Sequence, residues 1–525
     1  MSKYLLKRIL HGIVSVVIVV AIVMLLVYSL MNRELIFAKD VAFTKKSNND
    51  REIYKYSQWE KFGYLDYVTY NEYLRTLVTS GELDEASLVD AAAIARTPDL
   101  DSDITKTYVE KFTEHYESQG YTIVRLDAVM LTGRKVDTGG RQQLFAYKDR
   151  PLLGRLASFF AGIVTIDNIH YVDESVDIGE RKLTFTAYDP LYGGEKFSPA
   201  IIGNGTRHKY LMYFDDQFPY FHQNVITIKL GMSYSINKGI DVFDTMSTSQ
   251  GAYIRRTVTY PTGLVEESAD DLHTAVYSQG SRDAAAMYSD RYVDDYTSVT
   301  TYKGNKSKTG YSFTIGIIST LAAYVLAVPL GIAMARKKDK LLDKLGTLYI
   351  VFIMAVPSLA YIFMFKAIGG KLGLPTTFNM DGETALMYAL PIISLALPSI
   401  ANLMKWLRRY MIDQMNSDYV KFARSGGLSE NEIFSKHILK NAAIPIIHGI
   451  PGSVLGALTG AIITERVYLV PGAGNLLTNA INNYDNGVIV GLTLFYATLS
   501  IVSIILGDIL MALVDPRINF TSKAR

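Results

Sequence analysis

Two carboxylates, Glu465 and Asp508, fall inside apolar runs, where an unpaired charge is costly, so each must find a partner or water. Arg466 follows Glu465, but consecutive helical residues point in different directions, so adjacency alone does not make a pair. The Pro471-Gly472-Ala473-Gly474 stretch then reads as a tight turn. Asp508 lies toward the inner end of its run and is expected to hold a basic neighbour rather than carry protons. Gly452, Gly456 and Gly460 recur at every fourth position and share one helix face, where a second backbone can approach. Packing within the chain, or against a pore or sister chain, would both suit that stripe. His437 has no second ligand at metal spacing and reads as hydrogen-bonded structure. The chain has no cysteine, which removes thiol catalysis, thiolate metal sites and disulfides. It also lacks G-x-x-x-x-G-K-[ST], G-x-S-x-G and H-E-x-x-H, so no phosphate cradle, nucleophile elbow or zinc-hydrolase helix is encoded.

The elements that hold these residues are apolar runs at 9–31, 311–335, 345–368, 385–404, 446–469 and 488–514. Each reaches the about 20 residues needed to cross a bilayer. Lys3, Lys7 and Arg8 precede the first run, which is too long for a signal-peptide core and reads as an uncleaved span. The segment 151–166 is apolar but short and contains Arg155, so a buried or interfacial helix is expected there. Pro357-Ser358 should kink the third span. Residues 336–344 carry five basic side chains and 405–440 carry seven, whereas 369–384 and 471–487 hold Lys371 alone. Basic loops stay inside, which gives six spans with both termini cytoplasmic and residues 32–310 outside, in a plasma membrane. The charge split agrees: −7 over residues 32–310 and +9 over the remainder. No basic patch for nucleic acid stands out.

Within 32–310, helices are expected at 58–78, 84–95 and 102–119. Alternation from Tyr121 onward, and the segments RKLTFTAYDP, HKYLMYF and NVITIKL, predict strands, giving a mixed α/β domain. Residues 262–310 read as loops.

The most informative stretch is 408–445, a basic, helix-prone segment between two spans. Ser417-Asp418 offer an N-cap for a short helix through Ser425. Gly426-Gly427 stop it, because glycine accepts the left-handed conformation. Ser429-x-x-Glu432 restarts a helix as a capping box. Ile433, Phe434, His437, Ile438 and Asn441 fall near one side of it, and Pro445 should end or bend it.

This elbow resembles the cytoplasmic coupling loop of ABC importer permeases, in particular the dipeptide/oligopeptide branch. Tyr419, Val420, Ala423, Gly427, Leu428, Ser429, His437, Asn441, Ala442 and Pro445 match that family's pattern in register. Ser425 and Gly426 depart from it, where the family often has Ala and Lys. Glu465 with Pro471-Gly472-x-Gly474 is similar to the family's outer signature, Tyr468 replacing a Phe, and suggests a segment near the outer mouth. Leu506-Gly507-Asp508 and Asp515-Pro516-Arg517 resemble its ending. Leu230-Gly231-Met232-Ser233 looks like the family's Leu-Gly-x-Ser element displaced by an insertion, and a second insertion follows Met246, as in the enlarged Gram-positive forms.

The resemblance implies an α-helical polytopic membrane protein with six transmembrane helices in the type I ABC importer permease fold. A large mixed α/β extracellular domain (32–310) would lie between helix 1 (1–31) and helices 2–4 (311–404). A coupling loop (405–445), helices 5–6 (446–514) and a tail (515–525) follow. It implies a peptide-importer permease, not an enzyme, that binds no cofactor itself. ATP and Mg would reside in two partner ATP-binding subunits. A second homologous permease, an extracellular lipid-anchored peptide-binding protein and membrane lipid complete the expected partners, with no nucleic acid. Tyr419, Ala423, Ser425, Gly426, Gly427, Leu428, Ser429, His437 and Asn441 would couple to the ATPases. Gly452, Gly456, Gly460, Glu465, Pro471, Gly472 and Gly474 would serve translocation or packing. The competing readings are an ion-coupled secondary transporter, which needs central ionisable residues and inverted repeats, and a membrane-anchored receptor or enzyme working through 32–310.

Overall fold

The structure, a computed structural model, describes residues 2–46, 48–127, 143–166, 172–190, 193–214, 221–273, 276–277, 288–292 and 297–514. The Asp515-Pro516-Arg517 ending lies outside them. Contacts divide the chain into two compact units, one of Met24–Gly162 with Asn483–Gly487 and one of the remainder. The region 32–310 contributes to both.

In the smaller unit, strand Gln143–Asp149 lies between antiparallel strands Leu65–Thr69 and Thr122–Leu126. Helices Tyr70–Ser80 and Asp103–Ser118 cover this sheet through Leu74, Phe112 and Ala146. The continuous helix expected at 58–78 is instead a helix ending at Lys61, a strand, and a second helix. Gly63 turns the chain at φ +73°, and Leu65–Thr69 gains a full ladder with 145–149, so pairing overrides helical propensity. Thr69 and Glu72 then form a capping box that starts the next helix. The expected helix at 84–95 is two short turns, Glu85–Ser87 and Leu88–Ala91. Leu152–Ala161 is a ten-residue helix with no buried residue, too short to span. Arg155 on it lies 3.8 Å from the ring centre of Tyr28 and 4.0 Å from that of Tyr64.

The larger unit holds a four-stranded antiparallel sheet, Leu183–Thr186, Ala200–Gly203, Tyr210–Phe214 and Phe221–Gln223 in spatial order. Strands occur where loops were expected at 262–310: Val265–Ser268 pairs with Arg256–Thr259, and Lys303–Ser307 with Ser249–Tyr253. Their polar sequences carry little periodicity, so cross-strand bonding rather than alternation defines them. Strand Lys303–Ser307 runs straight into helix Lys308–Arg336, and Ser307 Oγ caps that helix by accepting from Gly310 N.

Four helices are long and apolar enough to cross a membrane: Leu5–Leu30, Lys308–Arg336, Leu386–Met415 and Asn486–Val514. Two bent pairs bring the number to six among the described residues. Leu341–Ala355 and Ser358–Lys371 meet at 107°, so Pro357 makes a corner rather than a kink. Glu430–His448 and Ile450–Tyr468 meet at 42°, around Gly449 rather than at Pro445, which lies inside the first of them. Arg8 pairs with Asp508 at 3.1 Å, so that carboxylate does hold a basic neighbour.

Candidate functional site

The elbow is built from local signals. Ser417 stands at the N-cap of helix Asp418–Ser425, yet its hydroxyl donates to Gln414 O at 2.6 Å instead of capping. At the other end Leu428 N bonds Ala423 O and Gly427 N bonds Arg424 O, a Schellman closure. Gly427 supplies the left-handed residue at φ +82°. Gly426, at φ −77°, does not, and a side chain there would meet only ordinary contacts. That is the position at which a family Lys could stand. Ser429 and Glu432 form the expected capping box. A wide π-helical stretch, Ile433–Leu439, follows and passes into Lys440–His448.

Packing turns this elbow into one body with two spans. Val420, Ala423, Ile433, Phe434, Ile438 and Ala442 share a buried core with Ala335 of the Lys308–Arg336 helix and with Leu407 and Met411 of Leu386–Met415. Arg336 adds a cation over the Phe434 ring at 4.4 Å and a bond to Asn431 Oδ1 at 2.8 Å. Three candidate residues meet at one hydroxyl. Tyr419 Oη donates toward Gln414 Oε1 (2.7 Å) and His437 O (3.4 Å), and accepts from Asn441 Nδ2 (3.0 Å). His437 therefore takes part through its carbonyl. Arg424 grips Glu430 with two bonds of 2.6 and 3.1 Å, and the guanidinium holds that carboxyl below its usual range.

The elbow leaves an apolar face uncovered. Phe422 is 80% exposed, and Tyr419 and Leu428 are also exposed, beside a rim of two ion pairs, Lys421–Asp418 and Arg424–Glu430. The sequence reading missed Phe422. Its signal was available, because Val420 and Ala423 face inward and Phe422 therefore faces out.

A second pair absent from that reading is Arg408 and Asp343, joined at 2.5 and 2.7 Å. Asp343 also accepts from Asp339 N at 2.8 Å, so the basic segment after Arg336 is pinned to the helix that feeds the elbow.

At the far end of the Ile450–Tyr468 helix, Glu465 is fully buried. Its Oε1 accepts from Ser312 Oγ at 2.5 Å and its Oε2 from Asn475 N at 2.9 Å. Ser312 Oγ in turn accepts from Ala473 N at 2.9 Å. The carboxylate thus sits at the N-terminus of helix Ala473–Asn482, where unpaired N–H groups favour negative charge. Arg466 turns away to Asn479 Oδ1 at 3.1 Å. The glycines after Pro471 follow from this cradle. A Cβ on Gly472 would strike the Glu465 carboxylate, and one on Gly474 would come within 2.6 Å of Ile462 Cα. Nearby, Glu383 accepts from Tyr311 Oη (2.7 Å), Tyr388 Oη (2.6 Å) and Lys306 Nζ (3.2 Å), a cluster that sequence reasoning did not find. Burial acts to raise the Glu383 carboxyl, but these three bonds outweigh it and hold it below the usual carboxylate range.

A Cβ on Gly452 or Gly456 would meet nothing within 4 Å, so among the described residues nothing packs on this part of the stripe. Gly460 lies on the same helix.

Residues 327–520 match the family described as binding-protein-dependent transport system inner membrane component. Over 526 aligned residues the chain is 32% identical to the oligopeptide transport system permease protein AmiC of Streptococcus pneumoniae serotype 4, covering 100% of this chain and 99% of that protein. The dipeptide transport system permease protein DppB of Lactococcus lactis subsp. cremoris is 34% identical over 210 residues, 40% of this chain and 68% of the relative. The likeness to AmiC therefore includes residues 32–310, whereas the likeness to DppB is confined to a shorter part. Among solved structures, an amino acid ABC transporter crystallised with histidines aligns with a TM-score of 0.32 at 15% identity, over 40% of this chain and 92% of its own.

Proposed function

The chain belongs to the oligopeptide/dipeptide permease family of binding-protein-dependent ABC transport systems, and from that premise we propose that its elbow couples ATP hydrolysis in partner subunits to alternating access of a peptide pathway. The observation that carries this reading is the shared core of elbow and spans. A push on Phe422 cannot be absorbed locally, because Val420 and Ala423 on the same helix are packed with Leu407, Met411 and Ala335. Close-packed cores transmit displacement rather than damping it. The exposed Phe422–Tyr419–Leu428 face, rimmed by Lys421 and Arg424, has the form of a short-helix plug for a groove on an ATPase.

In this reading ATP and Mg are held by two ATP-binding subunits, and this chain supplies no phosphate-binding loop. Closure of the ATPase pair drives the elbow, and the spans joined to it rock between two packings. The Gly452/Gly456 face, uncovered by the described residues, receives a second, homologous permease. The Glu465 cradle ties the outer end of the Ile450–Tyr468 helix to Ser312 and to the 471–475 turn, so the outer mouth moves as one piece. Residues 32–310 face outward and receive a lipid-anchored peptide-binding protein, with both termini in the cytoplasm.

The absence of cysteine makes a clean test available. Phe422→Cys is the sole thiol in the chain, and oxidative or bifunctional cross-linking should join it to an ATP-binding subunit in the assembled transporter. Cross-linking confined to a substrate-binding protein, or labelling of that thiol only from outside the cell, would refute the assignment.

A further inference from the structure

Between the Leu341–Ala355 helix and the Leu386–Met415 helix lies a groove of about 460 Å³, inside the range of about 300–1,000 Å³ common to small-molecule sites. Ile350, Val351, Met354 and Ala355 form its apolar wall, and Thr347, Lys405 and Arg408 complete it. The two kinds of lining are separated along the helix. Arg408 is fixed at the start of Leu341–Ala355 by its bidentate bond to Asp343. Met354 lies about 16 Å farther along at 1.5 Å per residue. The groove is therefore cationic at one end and apolar at the other.

Asp343 offsets the charge of Arg408, so the cation left uncancelled in the lining is Lys405. Asp343 is taken up by Arg408 and by Asp339 N. Lys405 makes no ion pair among the described residues, its ammonium lying 5.6 Å over the Trp406 ring. The sequence leading into the Leu341–Ala355 helix, 336–344, holds five basic and two acidic side chains. Leu345, Leu348 and Phe352 on the same helix are also exposed, as lipid-facing residues of a span should be.

We propose that this groove is a binding site for an anionic phospholipid, its phosphate on Lys405 beside the Arg408–Asp343 pair and one acyl chain along Ile350–Ala355. Charge complementarity at one end and an apolar trough at the other select an amphiphile over a free anion or a neutral lipid. The site stands apart from the elbow assignment, since it needs only that these helices lie in a bilayer. A bound lipid would brace the first limb of the bent pair against the helix that carries the elbow.

The test uses the assembled transporter in phosphatidylcholine nanodiscs containing a phosphatidylglycerol with a photoreactive acyl chain. Labelling should map to 350–355. Lys405→Ala should lower it about fivefold, the worth of one cation near an anionic headgroup. Ala355→Trp, at an exposed position, should abolish it by filling the trough, and Lys344→Ala should leave it unchanged. Equal labelling by a phosphatidylcholine analogue would overturn the proposal. So would equal loss in Lys344→Ala, which would mean diffuse attraction to a basic surface. Competition by glycerol phosphate together with an inert Ala355→Trp would show an anion site without a lipid trough, and protection by a peptide cargo would assign the groove to transport.

Discussion

Asn441 donates its side-chain amide to the Tyr419 hydroxyl at 3.0 Å, bridging the two arms of the elbow across 22 positions of sequence. This bond, with the Tyr419 bond to Gln414, ties the short helix to both the span before it and the helix after it. Tyr419→Phe removes the hydroxyl and keeps the ring. At a solvent-accessible site it should cost no more than about 1 kcal/mol of stability, while transport per ATP hydrolysed falls. A double cycle with Asn441→Ala, read as uptake per ATP, should show that the two changes are not additive.

The two hinge glycines should behave differently. Gly427→Ala must place a Cβ at φ +82° and should cost about 1–2 kcal/mol. Gly426→Ala, at φ −77° with only ordinary contacts, should be close to neutral. Thermal melting of the two purified variants compares them directly, and equal destabilisation would contradict the Schellman closure.

Glu465→Gln tests the cradle. Ser312 and Asn475 both donate to the carboxylate. An amide oxygen can keep Asn475 N, but its NH2 then takes the Ser312 oxygen, which already accepts from Ala473 N, and the Ser312 hydroxyl proton loses its acceptor. The expected loss is about 1–3 kcal/mol, as for a buried group left unsatisfied. Gly472→Ala should be at least as damaging, because its Cβ collides with the same carboxylate. Wild-type melting in Glu465→Gln would show that the carboxylate is held otherwise.

Glu383 gives a pH dependence with a definite sign. Its folded carboxyl is held below the usual range, so its contribution is present at neutral pH and is lost as the medium acidifies below about 4.3. The melting temperature should therefore fall on acidification, and Glu383→Gln should flatten that part of the profile. A wild-type curve unchanged by the substitution would remove Glu383 from the account.

Arg408 and Asp343 make a further test. Removing Arg408 alone strands a carboxylate whose side chain is 3% exposed, whereas removing both strands nothing. Arg408→Ala should be more destabilising than the Arg408→Ala/Asp343→Ala pair, by about 2 kcal/mol once partial exposure of the Arg is allowed for. The opposite order would mean that the ion pair is incidental.

What could be read from sequence was mostly what is encoded within a few residues. The capping box at Ser429, the left-handed Gly427 and the length of four of the six apolar runs are local properties, and the structure contains them. The resemblance of ten elbow positions to a known family rested on the same short range. Contacts made across the chain were not legible. Glu383 meets Tyr311 from 72 positions away and Asp343 meets Arg408 from 65, with no pattern linking them. Strand Leu65–Thr69 exists because 145–149 pairs with it, which no window around Gly63 reveals. The corner at Pro357 was visible as a proline, but its 107° angle depends on how the flanking helices pack.

The central claim is that the exposed face of the elbow receives the stroke of an ATPase. Phe422→Asp tests it most directly, because the side chain is 80% exposed and contributes nothing to the core, so the chain should still fold and assemble. In proteoliposomes holding the complete transporter and its peptide-binding protein, ATP-dependent peptide uptake should drop to background while the melting temperature of this chain stays within about 1 °C of wild type, as a surface change of less than ~0.5 kcal/mol requires. Uptake at the wild-type rate would contradict the account.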